Sequence, residues 1–199
     1  MTLTVRPIVR QDISTLSHCF KRAFEQDPVM RWVFSPHTEW ERCALRYFNM
    51  VLGNFIRSGH AMTTQGLEGA ALWIKPDPPK AGVWFWSVSY LKMAWLYRGC
   101  FLRGIQIEEA LHKIHPKEPH WYLSVIGTDT LHRGKGVGPA LLQPILQICD
   151  EQGLPAYLES SNPLNISFYI RHGFEILQDV MIPGGPTLWP MLRQPREPD

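Results

Sequence analysis

Apolar positions along the chain recur with two periods, and their order predicts elements of both kinds. "LTVRPIV", residues 3 to 9, alternates as a strand does, with Pro7 suiting an edge. Asp12 is expected to cap the helix that follows, in which Ile13, Leu16, Phe20 and Phe24 recur every three or four residues. Asp27-Pro28 ends that helix, because the residue before a proline is pushed out of the helical region. Thr38 and Glu41 read as a capping box for a second helix with an apolar stripe of Trp40, Ala44, Phe48, Val51 and Phe55, stopped by Ser58 and Gly59. "HAMTTQ" and "EGAALWIK" flank a short "GL" and predict a hairpin.

Residues 83 to 112 are aromatic with a helical period, until "HKIHPKEPH" breaks it. From residue 121 the order becomes strand, glycine-rich loop, helix over 138 to 152, strand "AYLES", and a short helix over "NISFYIRH" ending at Gly173. Strand-helix-strand implies parallel neighbours within a mixed sheet. Pro139 suits the first helical turn, whereas Pro144 predicts a kink costing about 3 kcal/mol. A single domain over residues 1 to 199 accommodates these elements.

Composition narrows the setting. Twenty basic and 18 acidic residues leave a formal charge of +2, with no run of like charge, so neither nucleic acid nor anionic lipid is an expected partner. Cys19, Cys43, Cys100 and Cys149 form no CxxC pair and read as buried free thiols. The N-terminus lacks a secretory pattern, and the expected location is cytoplasmic. Residues 81 to 97 are strongly apolar but slightly short for a membrane span and carry Lys92. Their aromatics, Phe85 and Trp86 among them, are read as the wall of a ligand cavity. The eight histidines show no metal-ligand spacing.

"HRGKGVGPALL", residues 132 to 142, carries the chemistry. A loop leaving a strand and entering a helix aims unpaired N–H groups and the positive end of the helix dipole at one point, which suits phosphate. Two common phosphate loops do not fit. The glycine spacing is G-x-G-x-G rather than G-x-G-x-x-G, and Asp129 stands where a Walker loop needs its first glycine. What remains is R-x-x-G-x-G, from Arg133 through Gly136 to Gly138.

That loop, with the preceding "SVIGTDT" and the downstream "NISFYIRHGF", resembles the GNAT superfamily of acetyl-CoA-dependent acetyltransferases. "HWYL", "YLESSN" and "FYIRHGF" look most like its puromycin-acetyltransferase-like branch. The resemblance implies an α/β (α+β) fold with a central mixed, twisted sheet of about six to seven strands flanked by helices and splayed at the coenzyme-binding strands. It also implies that the coenzyme pyrophosphate meets the amides of Gly134, Lys135, Gly136, Val137 and Gly138, with Arg133 and Lys135 on phosphate oxygens. The pantetheine arm would then lie along Ile126, Gly127 and Thr128, and one of the free amides near Ile126 and Thr128 would polarise the thioester carbonyl.

Further roles follow from the resemblance. Tyr169 matches the tyrosine that protonates the departing thiolate, and Asn165 one turn earlier either contacts the coenzyme or caps its helix. Glu159, sharing a strand face with Tyr157, is a general base or holds a neighbouring loop; an amine arriving partly neutral needs no base. Phe24, Asp27, Trp32, Trp73 and Phe85 are expected to wall the acceptor site, with Asp27 opposite a cationic amine. The expected activity is acetyl transfer from acetyl-CoA to a small-molecule amine by a monomer or homodimer. The alternative is a non-catalytic acyl-CoA-binding or regulatory module of the same fold.

Overall fold

The computed structural model describes residues 3–58, 60–76 and 98–196. After the short strand β1 (Val5–Pro7) come α1 (Ile13–Phe24), α2 (Pro28–Val33) and α3 (His37–Ser58). The hairpin β2 (His60–Thr64) and β3 (Gly69–Ile74) follows, then α4 (Arg98–His112), β4 (Trp121–Thr128), α5 (Val137–Gln152), β5 (Ala156–Ser160) and α6 (Ile166–Arg171). The strands β6 (Glu175–Ile176), β7 (Val180–Met181) and β8 (Thr187–Arg193) close the described chain. The strand order is β1-β2-β3-β4-β5-β8-β6, with β7 pairing β8 off this path. Among the described residues only β4 and β5 run parallel, and α5 makes the crossover between them.

Each face of the sheet carries its own apolar layer. On one, Leu16, Phe20, Phe48, Leu52, Ala70 and Leu72 pack α1 and α3 against the strands. There Phe20 meets Phe48 edge-on, with ring centroids 5.3 Å apart. On the other, Leu141, Leu142, Ile145 and Cys149 of α5 meet Ala71, Trp73, Leu123 and Leu158. All four cysteines are free and buried, and burial pushes the Cys19 and Cys149 thiols up to about 12.

Local chemistry departs from the sequence expectation in four places. Asp12 makes no side-chain bond to α1; its carboxylate accepts the Val9 N–H at 2.9 Å and pairs with Arg6, closing a 3-10 turn instead. Asp27-Pro28 ends α1 and also starts α2, with Asp27 as N-cap and Pro28 in the first turn, where a missing N–H costs nothing. The second long helix begins at His37, so Thr38 lies within its first turn, and Glu41 reaches across to Lys21 of α1. Finally, α5 runs unbroken through Pro144 from Val137 to Gln152. The first half of the 83–112 pattern lies outside the described residues.

The C-terminal strand is tied to α5 by charge. Arg193, 3% exposed, forms a two-pronged pair with Asp150 at 2.7 and 2.8 Å, while its Nε donates to the His172 carbonyl after α6. Those donors hold the Asp150 carboxyl below its usual value. A depressed carboxyl contributes stability above its unfolded-state value and loses it as pH falls through the folded-state value. Asp150→Ala should cost about 2–3 kcal/mol at pH 7, somewhat less than the loss of a fully buried pair because the carboxylate is partly exposed. The deficit should shrink as the pH of a denaturant-melt series is lowered below about 4.

Candidate active site

The site begins where β4 leaves β5. Their parallel register holds for Trp121, Tyr122 and Leu123 and goes no further, although β4 continues to Thr128. On the other edge β3 stays paired the whole way, with Leu72 opposite Val125 and Trp73 opposite Leu123, so Ser124 is a bulged extra residue. The extra residue flips the side-chain alternation: Trp121 and Leu123 face the α5 layer, whereas Val125 faces α1 and Ile126 returns to α5.

Alternation also assigns the backbone. The Asp129 N–H donates to the Glu68 carbonyl at 2.8 Å, on the β3 side. Residue 127 therefore also turns its N–H and C=O toward β3, and residues 126 and 128 turn theirs away, into the gap β5 has vacated. Gly127 is small for the same packing reason: a Cβ there would sit 2.9 Å from the Phe24 ring and 3.0 Å from Phe20.

The glycine loop lies at the end of this gap. Gly134 and Gly136 have φ of 76° and 80°, and Gly136 is the N-cap of α5. Gly138 is needed for space instead, since a Cβ would meet Phe168 at 3.0 Å. The bare backbone at the mouth of α5 thus has two causes: handedness in the loop and contact with α6 in the first turn. Asp129, a residue the sequence reading passed over except as a missing glycine, anchors the approach. It caps the turn at Leu131 and pairs with Arg22 of α1, which holds its carboxyl low.

These elements enclose a cleft of about 620 Å³, lined by Phe24, Asp27, Ile126, Gly127, Thr128, Arg133, Gly134, Gly136, Val137, Gly138, Asn165 and Tyr169 among others. Tyr169 is 7% exposed, and among the described residues nothing hydrogen-bonds its hydroxyl. Burial, and after it the charge of Asp27, pushes its pKa well up, so the phenol is held protonated. Asp27 is 6% exposed; its Oδ1 accepts the Met30 N–H at 3.0 Å and its Oδ2 the Ser161 hydroxyl. Asn165 makes no capping bond, and Asn162 caps the turn before α6.

Other expected residues are not brought into this cleft. Lys135 does not line it, and Arg133, which does, donates to the Ala23 carbonyl at 3.1 Å. Trp73 is fully buried beneath α5, because strand alternation turns it to the layer opposite α1. Trp32 packs against Val180, Ile182 and Leu188 and donates to the Gly184 carbonyl at 2.7 Å, with Arg103 over its ring. Glu159 shares its strand face with Tyr157 as expected, but its carboxylate accepts the Tyr122 hydroxyl at 2.6 Å and lies 3.4 Å from His115. Phe85 falls outside the described residues. Among the described residues no helix is long and apolar enough to cross a membrane.

A strand parted from its parallel neighbour, with a glycine loop and helix N-terminus at its end, forms a cleft suited to an extended anionic ligand. The family model of the acetyltransferase (GNAT) family matches residues 69–174, and the chain belongs to that family. An uncharacterized N-acetyltransferase of Schizosaccharomyces pombe is 27% identical over 191 residues, covering 89% of this chain and 76% of its own. Among solved structures, one described as histone acetyltransferase HPA2 and related acetyltransferase from Corynebacterium glutamicum matches with TM-score 0.74 and 25% identity, covering 100% of this chain and 99% of its own. A PaiA N-acetyltransferase from Thermoplasma acidophilum, solved with coenzyme A, matches with TM-score 0.61 and 14% identity over 98% of this chain and 99% of its own.

Gly136→Ala forces a side chain into the left-handed region and should lower stability by about 1–2 kcal/mol, read as a fall in Tm of about 2–8 °C for a chain of this size. Gly153→Ala, at a positive φ at the far end of α5, should produce a fall of similar size, which separates backbone strain from any loss of coenzyme affinity measured alongside.

Proposed function

We propose that the protein transfers an acetyl group from acetyl-CoA to the amine of a small molecule by direct attack on the thioester. One observation carries this reading: the outward-turned edge of Ile126 and Thr128, the N-terminus of α5 and the unpartnered hydroxyl of Tyr169 open into the same cleft. The residues suit the coenzyme because a glycine loop at positive φ leads into the N-terminus of α5, whose first N–H groups lack helical partners and favour a diphosphate. Bound there, acetyl-CoA supplies an activated acyl carbon and a thiolate leaving group.

The chain's own residues supply the rest. Amides of Gly134, Gly136, Val137 and Gly138 grip the pyrophosphate, with Arg133 beside them, while the Lys135 N–H is taken by the His132 carbonyl. The edge of β4 accepts an extended arm as a further strand would, and the N–H of Ile126 or Thr128 donates to the carbonyl oxygen as negative charge develops there. Tyr169 gives its proton to sulfur as the thiolate departs. Phe24 and Asp27 border the acceptor end of the cleft.

A thiol-release assay with acetyl-CoA over polyamines, amino acids, aminoglycosides and arylalkylamines tests the reading. Tyr169→Phe should lower turnover by about 100-fold or more, while calorimetry gives a coenzyme affinity within about twofold of wild type. Tight coenzyme binding with no transfer to any acceptor would mark a sensor instead.

A further inference from the structure

We infer that Asp27, held by Ser161, is the general base that takes the proton from the acceptor amine. The inference rests on the acetyltransferase reading and adds to it the group that deprotonates the acceptor. Asp27 stands at the start of α2, where the chain crosses from α1, and Ser161 directly follows β5. Their hydrogen bond therefore ties the α1–α2 junction to the end of β5, beside the cleft that Asp27 lines with Phe24 and Tyr169.

Among the described residues Asp12, Asp27 and Asp129 are the acids more than nine-tenths buried, and of these Asp27 borders the cleft. Among the described residues nothing neutralises it: its partners there are the Ser161 hydroxyl and the first N–H groups of α2, none of them a cation. Burial pushes its pKa up and those hydrogen bonds pull it partly back, so the ionised form is available yet a better proton acceptor than a surface aspartate. The titratable or charged side chains sharing the cleft are Tyr169 on α6, His132 and Arg133 on the loop before α5, and Arg171 at the end of α6. The charge of Asp27 adds to burial in raising the Tyr169 pKa. Glu159, by contrast, is engaged by Tyr122 and His115 outside the cleft.

The step balances. An acceptor entering as R–NH3+ gives one proton to the Asp27 carboxylate. The freed nitrogen lone pair forms the N–C bond to the acyl carbon. The C–S bond then breaks, its electron pair leaves on sulfur, and Tyr169 protonates that sulfur. Tyr169 regains a proton from the acylated nitrogen, and Asp27 releases its own to water. The sum is R–NH3+ and acetyl-CoA going to the amide, free coenzyme A and one proton.

The experiment uses whichever of putrescine, tyramine and glycinamide turns over fastest with the full-length protein. Wild-type kcat/KM should show an acid limb belonging to the enzyme. In Asp27→Asn, which keeps the helix cap, kcat/KM near pH 7 should fall by about 100-fold or more, and the deficit should narrow as pH approaches the amine's own pKa. Ser161→Ala removes a donor to the ionised form and should move the acid limb up in pH. Independently of turnover, the carboxylic-acid band in infrared difference spectra of wild type minus Asp27→Asn should titrate with the same midpoint as that limb. Should Asp27→Asn not fold, Asp27→Ser, which also caps a helix, takes its place, and the Ser161→Ala shift stands on its own.

A wild-type profile that tracks only the free-amine fraction overturns the inference. So does an Asp27→Asn defect confined to KM and equal at every pH, or loss of the acid limb in Glu159→Gln but not in Asp27→Asn. In each of those cases wild type still acetylates amines and the acetyltransferase reading survives. Binding of acetyl-CoA with no acetylation of any of the three amines removes both.

Discussion

A bulge at Ser124 is the constraint from which the site is built. Up to Leu123, β4 is an interior strand with partners on both edges; one extra residue later, it keeps β3 and loses β5. A backbone amide without a partner costs about 1–3 kcal/mol if buried dry, so a strand cannot simply be abandoned inside a core. Here the abandoned edge borders an open cleft, where water or an extended ligand can take the place of the missing strand. The same single-residue insertion inverts the side-chain alternation, turning Ile126 toward α5 and Gly127 toward the rings of α1.

A split sheet needs bracing, and the braces are polar and cross the split or its margins. Arg22 with Asp129 fastens α1 to the loop beyond β4, and Asp27 with Ser161 fastens the α1–α2 junction to the end of β5. Arg193 with Asp150 fastens β8 to the last turn of α5. Apolar packing supplies most of the cohesion within each half, but it is non-directional. These pairs fix how the halves sit, because a hydrogen-bonded carboxylate tolerates little change in angle or distance.

The elements were largely legible in the sequence, since their signals are periodic and local: the stripe of α1, the hairpin around Gly66-Leu67 and the leucines of α5 each appear where their spacing indicates. The glycine loop was legible for a stronger reason, because Gly134, Gly136 and Gly138 each answer a backbone demand that few other residues meet. The bulge left no trace. "WYLSVIGT" is apolar throughout, and nothing in such a run marks the residue at which a neighbour departs. Side chains placed by long-range contact were equally hidden. Alternation correctly gave Glu159 the face of Tyr157, but only the fold brings Tyr122 and His115 to it. Trp73 looked like a cavity wall because its residue type suits one, whereas its strand parity sends it beneath α5. The helix α2 was readable in principle, as Asp-Pro both ends one helix and begins the next.

Under the proposed mechanism, the electrostatic coupling of Asp27 and Tyr169 orders the two proton transfers. While Asp27 is ionised, its charge adds to burial in raising the Tyr169 pKa, and the phenol is a reluctant acid. Once Asp27 has taken a proton, that contribution is gone and Tyr169 becomes the stronger acid, since interacting groups titrate as a pair. The interaction is mutual: loss of the Tyr169 proton would raise the proton affinity of Asp27 by the same amount. Burial of both side chains enlarges both effects, because charges interact more strongly away from water. In the mechanism proposed, deprotonation of the amine therefore primes protonation of the sulfur, and the same electrostatics disfavour release of thiolate before an acceptor is in place.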